Sequence, residues 1–206
     1  IEKITISSTG NGSDFGDASS ACVRHPYSGG NKTRGVYGGG GSPSNVNTLE
    51  YITIQSEGNA VDFGDLQAEG QYRRGNAGST TRGIIMGLYA PGGDSHANHN
   101  TIEFITFATT GNGSDFGDLT TTISGATSSS NCIRAIRYGK WPTDGTIDFV
   151  TIATLGNATD FGDLSTTISQ NSAAASPTRA VSIGGVVSPA TTMTNTIEYV
   201  QFASLG

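Results

Sequence analysis

The stretch "GNGSDFGD" at residues 10–17 recurs letter for letter at 111–118, and close copies stand at 58–65 ("GNAVDFGD") and 156–163 ("GNATDFGD"). Four copies of one phrase in 206 residues point to a repeated structural unit, because a catalytic loop has no reason to be written four times. The first Asp of each DFGD, at Asp14, Asp62, Asp115 and Asp160, sets spacings of 48, 53 and 45 residues.

Ahead of each phrase lies a short run with apolar residues on both faces: "IEKITI" at 1, "LEYITI" at 49, "IEFITF" at 102, "IDFVTI" at 147, and a fifth, "IEYVQF", at 197. In "IEFITF", Ile102 and Phe104 point one way and Ile105 and Phe107 the other, so both faces of the sheet are to be covered. Each phrase is followed by a Ser/Thr-rich stretch such as "LTTTISGATSSS", expected to form a strand on its β-branched content. An Arg-led run comes next: "TRGVYGGGG" at 33, "TRGIIMGLY" at 81, "CIRAIRYGK" at 132 and "TRAVSIGG" at 178. Four strands per unit follow: a after DFGD, b after the Arg, c in the IEYIT run and d around DFGD. The units run over approximately 1–48, 49–101, 102–146 and 147–196, with a partial fifth at 197–206. A single such sheet with two apolar faces is a poor fold alone, whereas copies around an axis cover one another.

That period and strand order imply an all-β propeller of four-stranded antiparallel blades, about four blades and one spare c strand. The glycine pairs Gly40-Gly41 and Gly184-Gly185 at the ends of b strands, followed by a strand and an aromatic turn, resemble kelch repeats. The third unit departs from that pattern with "YGKWPTDG". The phrasing "IEYITI…TGNATDFGDLT…TRGI" is also similar to kelch-like repeats in virion proteins of tailed bacteriophages, especially marine and cyanobacterial phages. The likeness covers nearly the whole chain. It implies a structural protein of an exposed virion appendage such as a tail fibre, with other virion proteins or further copies of itself as partners and host-surface glycans as targets.

Each piece of the phrase has a structural use. Gly permits positive φ, Asn and Asp form side-chain turns, and Phe15, Phe63, Phe116 and Phe161 can wedge between neighbouring sheets. Arg34, Arg82, Arg134 and Arg179 recur once per unit and need partners if buried, for which the second Asp of each phrase (Asp17, Asp65, Asp118, Asp163) is the candidate. Closely spaced Gly, Asn and Asp also echo calcium loops, although the spaced D-x-D-x-D series is missing, so calcium stays open as an alternative to a purely structural turn. Asp94, His96 and His99 in "GGDSHANHN" are a weak candidate set for another metal.

The composition narrows the function. Hydrophobic residues make up 34%, charged residues 14%, and there are 30 glycines, which favours short strands and turns over helices. A net charge of -6 with eleven Lys and Arg leaves no basic stripe for nucleic acid. No apolar run approaches the roughly 20 residues of a spanning helix. The two cysteines, Cys22 and Cys132, fall at different points of the repeat and make neither a disulfide framework nor a zinc set. The chain opens at Ile1 and stops at Gly206, where earlier copies continue with Asn, and so reads as a segment of something longer. No Gly-x-Ser-x-Gly elbow occurs, and the c-strand acids Glu2, Glu50, Glu103, Asp148 and Glu198 repeat with the fold, so catalysis has no support. Residues that do not repeat are the better candidates for ligand contact: Tyr138, Lys140, Trp141, Tyr89, His96 and Arg137, and also Tyr27, Tyr72, Arg73 and Arg74. Aromatic rings beside charged and amide groups suit the faces of sugars, which makes a lectin-like module the rival to structural display.

Overall fold

A computed structural model of the chain describes residues 1–19, 27–41, 44–69, 75–90, 97–123, 126–140, 144–187 and 192–204, the side chains of 88–90 and 97–98 excepted. Among these the only regular elements are β-strands, and all their pairings are antiparallel. β1 (Glu2–Lys3) pairs with β2 (Ser13–Asp14). The first full sheet runs β3 (Tyr27–Gly30), β4 (Arg34–Gly41), β5 (Asn45–Thr53), β6 (Val61–Asp65), and the second β7 (Gly75–Gly78), β8 (Arg82–Ala90), β9 (Ala97–Thr106), β10 (Ser114–Ile123). The third is β11 (Thr127–Ser130), β12 (Arg134–Lys140), β13 (Asp144–Thr151), β14 (Thr159–Ser169), and the fourth β15 (Ser172–Ala175), β16 (Arg179–Val187), β17 (Thr192–Gln201). The far end of β14 also pairs with β16, Ile168 opposite Val187, which joins the last two sheets.

The a, b, c, d order therefore holds in three complete sheets, each taking a and b from one sequence copy and c and d from the next. The Ser/Thr-rich stretch behaves differently from expectation. Leu119–Ile123 prolongs the d strand β10, burying Leu119 and Ile123 with Phe116, and only Thr127–Ser130 forms the a strand. The spare c strand β1 keeps the first d strand, β2, for itself.

Successive sheets pack face to face. On β8, Ile84 and Met86 join Phe116 and Leu119 in the core shared with the third sheet (Ala135, Val150, Ile152), while Ile85 enters the core shared with the first (Val36, Leu49, Phe63, Leu66). A third core, with Ile136, Ile147, Phe161, Ala180 and Phe202, lies between the third and fourth sheets. Phe63, Phe116 and Phe161 sit edge-on to the c-strand aromatic of their own sheets, as Phe63 does to Tyr51 at 6.0 Å between ring centres, and face the following sheet.

The phrase joins the sheets through their backbones. Gly111 N–H donates to Phe63 O at 2.7 Å, Gly113 N–H to Asp65 O at 2.7 Å, and Asn112 Oδ1 accepts from Asp65 N–H at 3.0 Å. The same clasp ties Gly58, Asn59 and Ala60 to Phe15 and Asp17, and Gly156, Asn157 and Ala158 to Phe116 and Asp118. The Gly-Asn of one copy thus grips the DFGD of the copy before it. The phrase glycine permits the approach: Gly64 has φ +137°, and a Cβ there would lie 2.5 Å from the carbonyl carbon of Gly111. In two copies the first Asp closes a local turn, Asp62 and Asp160 each accepting from the N–H two residues on, at 3.1 Å.

The expected pairing of Arg34, Arg82, Arg134 and Arg179 with the second Asp of each phrase does not form. Arg34 stands opposite Thr53 on β5 and Asp65 opposite Thr48, so the strand rise of about 3.3 Å per residue separates them by most of the strand. Each guanidinium instead stacks on its own c-strand ring (Arg34 on Tyr51, Arg82 on Phe104, Arg134 on Phe149, Arg179 on Tyr199) at 4.7–4.9 Å. The first three also donate across to the following sheet, Arg34 to Phe107 O at 2.8 Å, Arg82 to Ile152 O at 2.9 Å and Arg134 to Phe202 O. The c-strand acids supply a third tie. Glu50, Glu103, Asp148 and Glu198 accept from Ser19, Gln67, Thr120 and Ser165, each two residues beyond the preceding sheet's phrase.

The clasp makes graded demands on stability, measurable by urea unfolding. Gly64→Ala is expected to cost about 3 kcal/mol or more through backbone collision. Gly111→Ala, at φ +153° with open space around it, is expected to cost only the backbone strain, about 1–2 kcal/mol. For the polar groups, Asn112→Ala is expected to cost about 1–2 kcal/mol and Arg82→Met about 2 kcal/mol. Asp65→Asn is expected to stay within about 0.5 kcal/mol, because the phrase uses the backbone of that residue.

Candidate binding surface

The antiparallel meander puts two kinds of connection at each end of the sheets. The a–b and c–d turns share one end, where Asn31 Nδ2 donates to Thr80 O at 3.2 Å and Asn131 Nδ2 to Pro177 O at 3.0 Å across neighbouring sheets. The strand ends that bound the b–c and d–a connections lie at the other. The Gly-Asn turn of each repeated phrase belongs to the first end.

Of the residues singled out from the sequence, Arg137, Tyr138 and Lys140 are on β12 toward the b–c end. Tyr138 and Arg137 are 1% and 0% exposed, so both are interior groups and offer no surface to a ligand. The Tyr138 hydroxyl lies 3.0 Å from Ser129 Oγ, and burial, against that hydrogen bond, pushes it up to about 12. Arg137 faces the second sheet, forms an ion pair with the equally buried Asp148, and donates to Gly139 O at 3.0 Å. Neither half of such a pair can be removed alone without stranding the other charge in the interior. Tyr27, also non-repeating, is fully buried, which raises its hydroxyl as well. Lys140 remains at the surface, 3.1 Å from Asp144 across the b–c connection. Trp141, His96, Asp94, Tyr72, Arg73 and Arg74 lie outside the described residues, as does the side chain of Tyr89. His99 is on β9 opposite Ile123. Among the described residues no three His, Cys, Asp or Glu side chains converge.

The a–b end carries a cleft of about 420 Å³ that the sequence reading did not anticipate. It crosses the first three sheets and is lined by Ser28, Asn76, Ser79, Thr80 and Ser130, with Phe107 beneath. A legible signal existed, the Asn or Ser three residues before each Arg in "NKTR", "STTR", "NCIR" and "SPTR". These side chains build the turns. Asn31 Oδ1 accepts from the N–H groups of Thr33 and Arg34 at 2.9 Å, and Ser79 Oγ from those of Thr81 and Arg82 at 3.2 and 3.1 Å. The free thiol of Cys132 is exposed on the third of these turns.

Compared with protein-family models and with curated proteins, the chain matches none.

Asp144 offers a pH readout at the b–c end. Burial favours its neutral form, but the Thr146 N–H and hydroxyl, at 2.9 and 2.8 Å, and the Lys140 ammonium outweigh that and hold the carboxyl down to about 2. A lowered carboxyl contributes stability that is whole above the ordinary carboxylate range and is lost as pH falls through its folded value. An NMR titration is expected to find Asp144 ionised until the pH nears 2, and Lys140→Ala is expected to move that midpoint upward.

Proposed function

We propose that the chain is a non-enzymatic, kelch-like β-propeller module of a tailed-bacteriophage virion, displayed on an exposed appendage and adhering to a host surface through its b–c and d–a connections. The observation that carries this reading is the division of labour between the two ends. The phrase, Arg34, Arg82 and Arg134, and the acids Glu50, Glu103, Asp148 and Glu198 are engaged in holding sheet to sheet. That leaves recognition to residues that differ from copy to copy, which in the sequence fall mostly in the b–c and d–a connections. The a–b–c–d antiparallel sheets covering one another face to face support the propeller assignment, and the phrase wording supports the phage one. The c-strand carboxylates already accept hydrogen bonds from the preceding sheet, which speaks against their use as an acid and base pair.

A lectin-like reading has one specific observation behind it. The 420 Å³ cleft gathers the hydroxyl and amide side chains of Ser28, Asn76, Ser79, Thr80 and Ser130, donors and acceptors suited to the polar rim of a sugar.

Binding of the chain to a glycan array and to intact bacterial cells tests both. Loss of binding in Lys140→Ala and Trp141→Ala, with Thr80→Arg unaffected, is the expected result for adhesion through the variable end. Loss in Thr80→Arg alone assigns recognition to the cleft. Failure to bind any glycan or any cell type contradicts adhesion.

A further inference from the structure

The fourth sheet leaves open the face that each earlier sheet covers. Ile197 and Tyr199 on β17 correspond to Leu49 and Tyr51, to Ile102 and Phe104, and to Ile147 and Phe149. Leu49, Ile102 and Ile147 are each 0% exposed, whereas Ile197 is 66% and Tyr199 58% exposed. Ile183 on β16, corresponding to the buried Met86 and Tyr138, is 40% exposed. Arg179 stacks on Tyr199 as its counterparts stack on theirs, but among the described residues its guanidinium has no carbonyl to match Phe107 O, Ile152 O or Phe202 O.

At the other end of the chain the complementary half of the same junction is open. In the core between the first two sheets, Ile105 and Phe107 of the second pack over Leu49 and Tyr51 of the first, and Phe107 O receives Arg34. Ile4 and Ile6 hold the places of Ile105 and Phe107, and they are 69% and 97% exposed.

We infer that this chain associates head to tail, with Ile4 and Ile6 of one copy seated on Ile197 and Tyr199 of another and the Ile6 carbonyl accepting from Arg179. The contact repeats, between two chains, the junction made three times within one. The occupant is a second copy because its N-terminal strand presents the apolar pair and the carbonyl in the order the open face lacks. One surface meets a different surface, so every assembly keeps one free end of each kind and growth proceeds by addition. The inference stands apart from the adhesion reading, since it concerns the ends of the sheet array and neither set of connections.

Sedimentation velocity over a range of concentrations tests it. The parent chain is expected to rise above its 21.1 kDa monomer mass as concentration increases. Ile6→Asp and Ile197→Asp, at exposed positions where circular dichroism should report an unchanged fold, are each expected to stay monomeric alone. Mixed together they are expected to give a species of twice the monomer mass and nothing larger, because each retains the end that the other lacks. A parent mass that does not change with concentration overturns the inference, as does association by either variant alone.

Discussion

The structure depends on a backbone-to-backbone contact between consecutive copies of one phrase. Gly111 and Gly113 donate to the carbonyls of Phe63 and Asp65, and Asn112 returns the exchange by accepting from Asp65. This contact needs three things of the sequence at once: no Cβ at Gly64, a turn that presents two N–H groups, and an amide oxygen between them. A phrase that must fit both its own sheet and the phrase of the next copy can drift in few places. The positions that vary, Gly-Ser, Ala-Val and Ala-Thr, are those whose side chains the clasp leaves unused.

Around that contact the remaining repeated residues extend the junction in both directions. The phrase Phe anchors an apolar layer between sheets, the c-strand acid reaches back to the segment beyond the preceding phrase, and the arginine reaches forward to the end of the next c strand. A stack on an aromatic ring holds the guanidinium in line with that carbonyl, which keeps the stem of a flexible side chain in one place. The third junction adds a buried Arg137–Asp148 pair, in which the same acid that accepts from Thr120 also neutralises a cation inserted from its own sheet. The buried cation there keeps its counter-ion.

Much of this was legible in the sequence. The period, the four strands per unit, the count of five c strands against four of each other kind, and the two-faced burial of Ile102 and Ile105 all follow from alternation and spacing. The partners were not legible. Asp65 and Arg34 recur with equal regularity, and charge alone pairs them, but they face opposite ends of the same c strand. The true acceptor of Arg34 is a backbone carbonyl, and a carbonyl leaves no letter in a sequence. Tyr138 and Arg137 stood out because they do not repeat, yet they are interior substitutions at positions where other copies carry Met86 and Ile85. Non-repetition marks a change of packing as readily as a binding surface.

Amide hydrogen exchange tests the clasp most directly. Gly58, Gly111 and Gly156 are exposed turn residues outside every strand ladder, so nothing but the preceding phrase protects their N–H groups. The account predicts that these three amides exchange as slowly as those of the neighbouring strands. Exchange at the rate of an open turn would mean that the repeated phrase does not join the sheets, and the explanation of the repeat would fail with it.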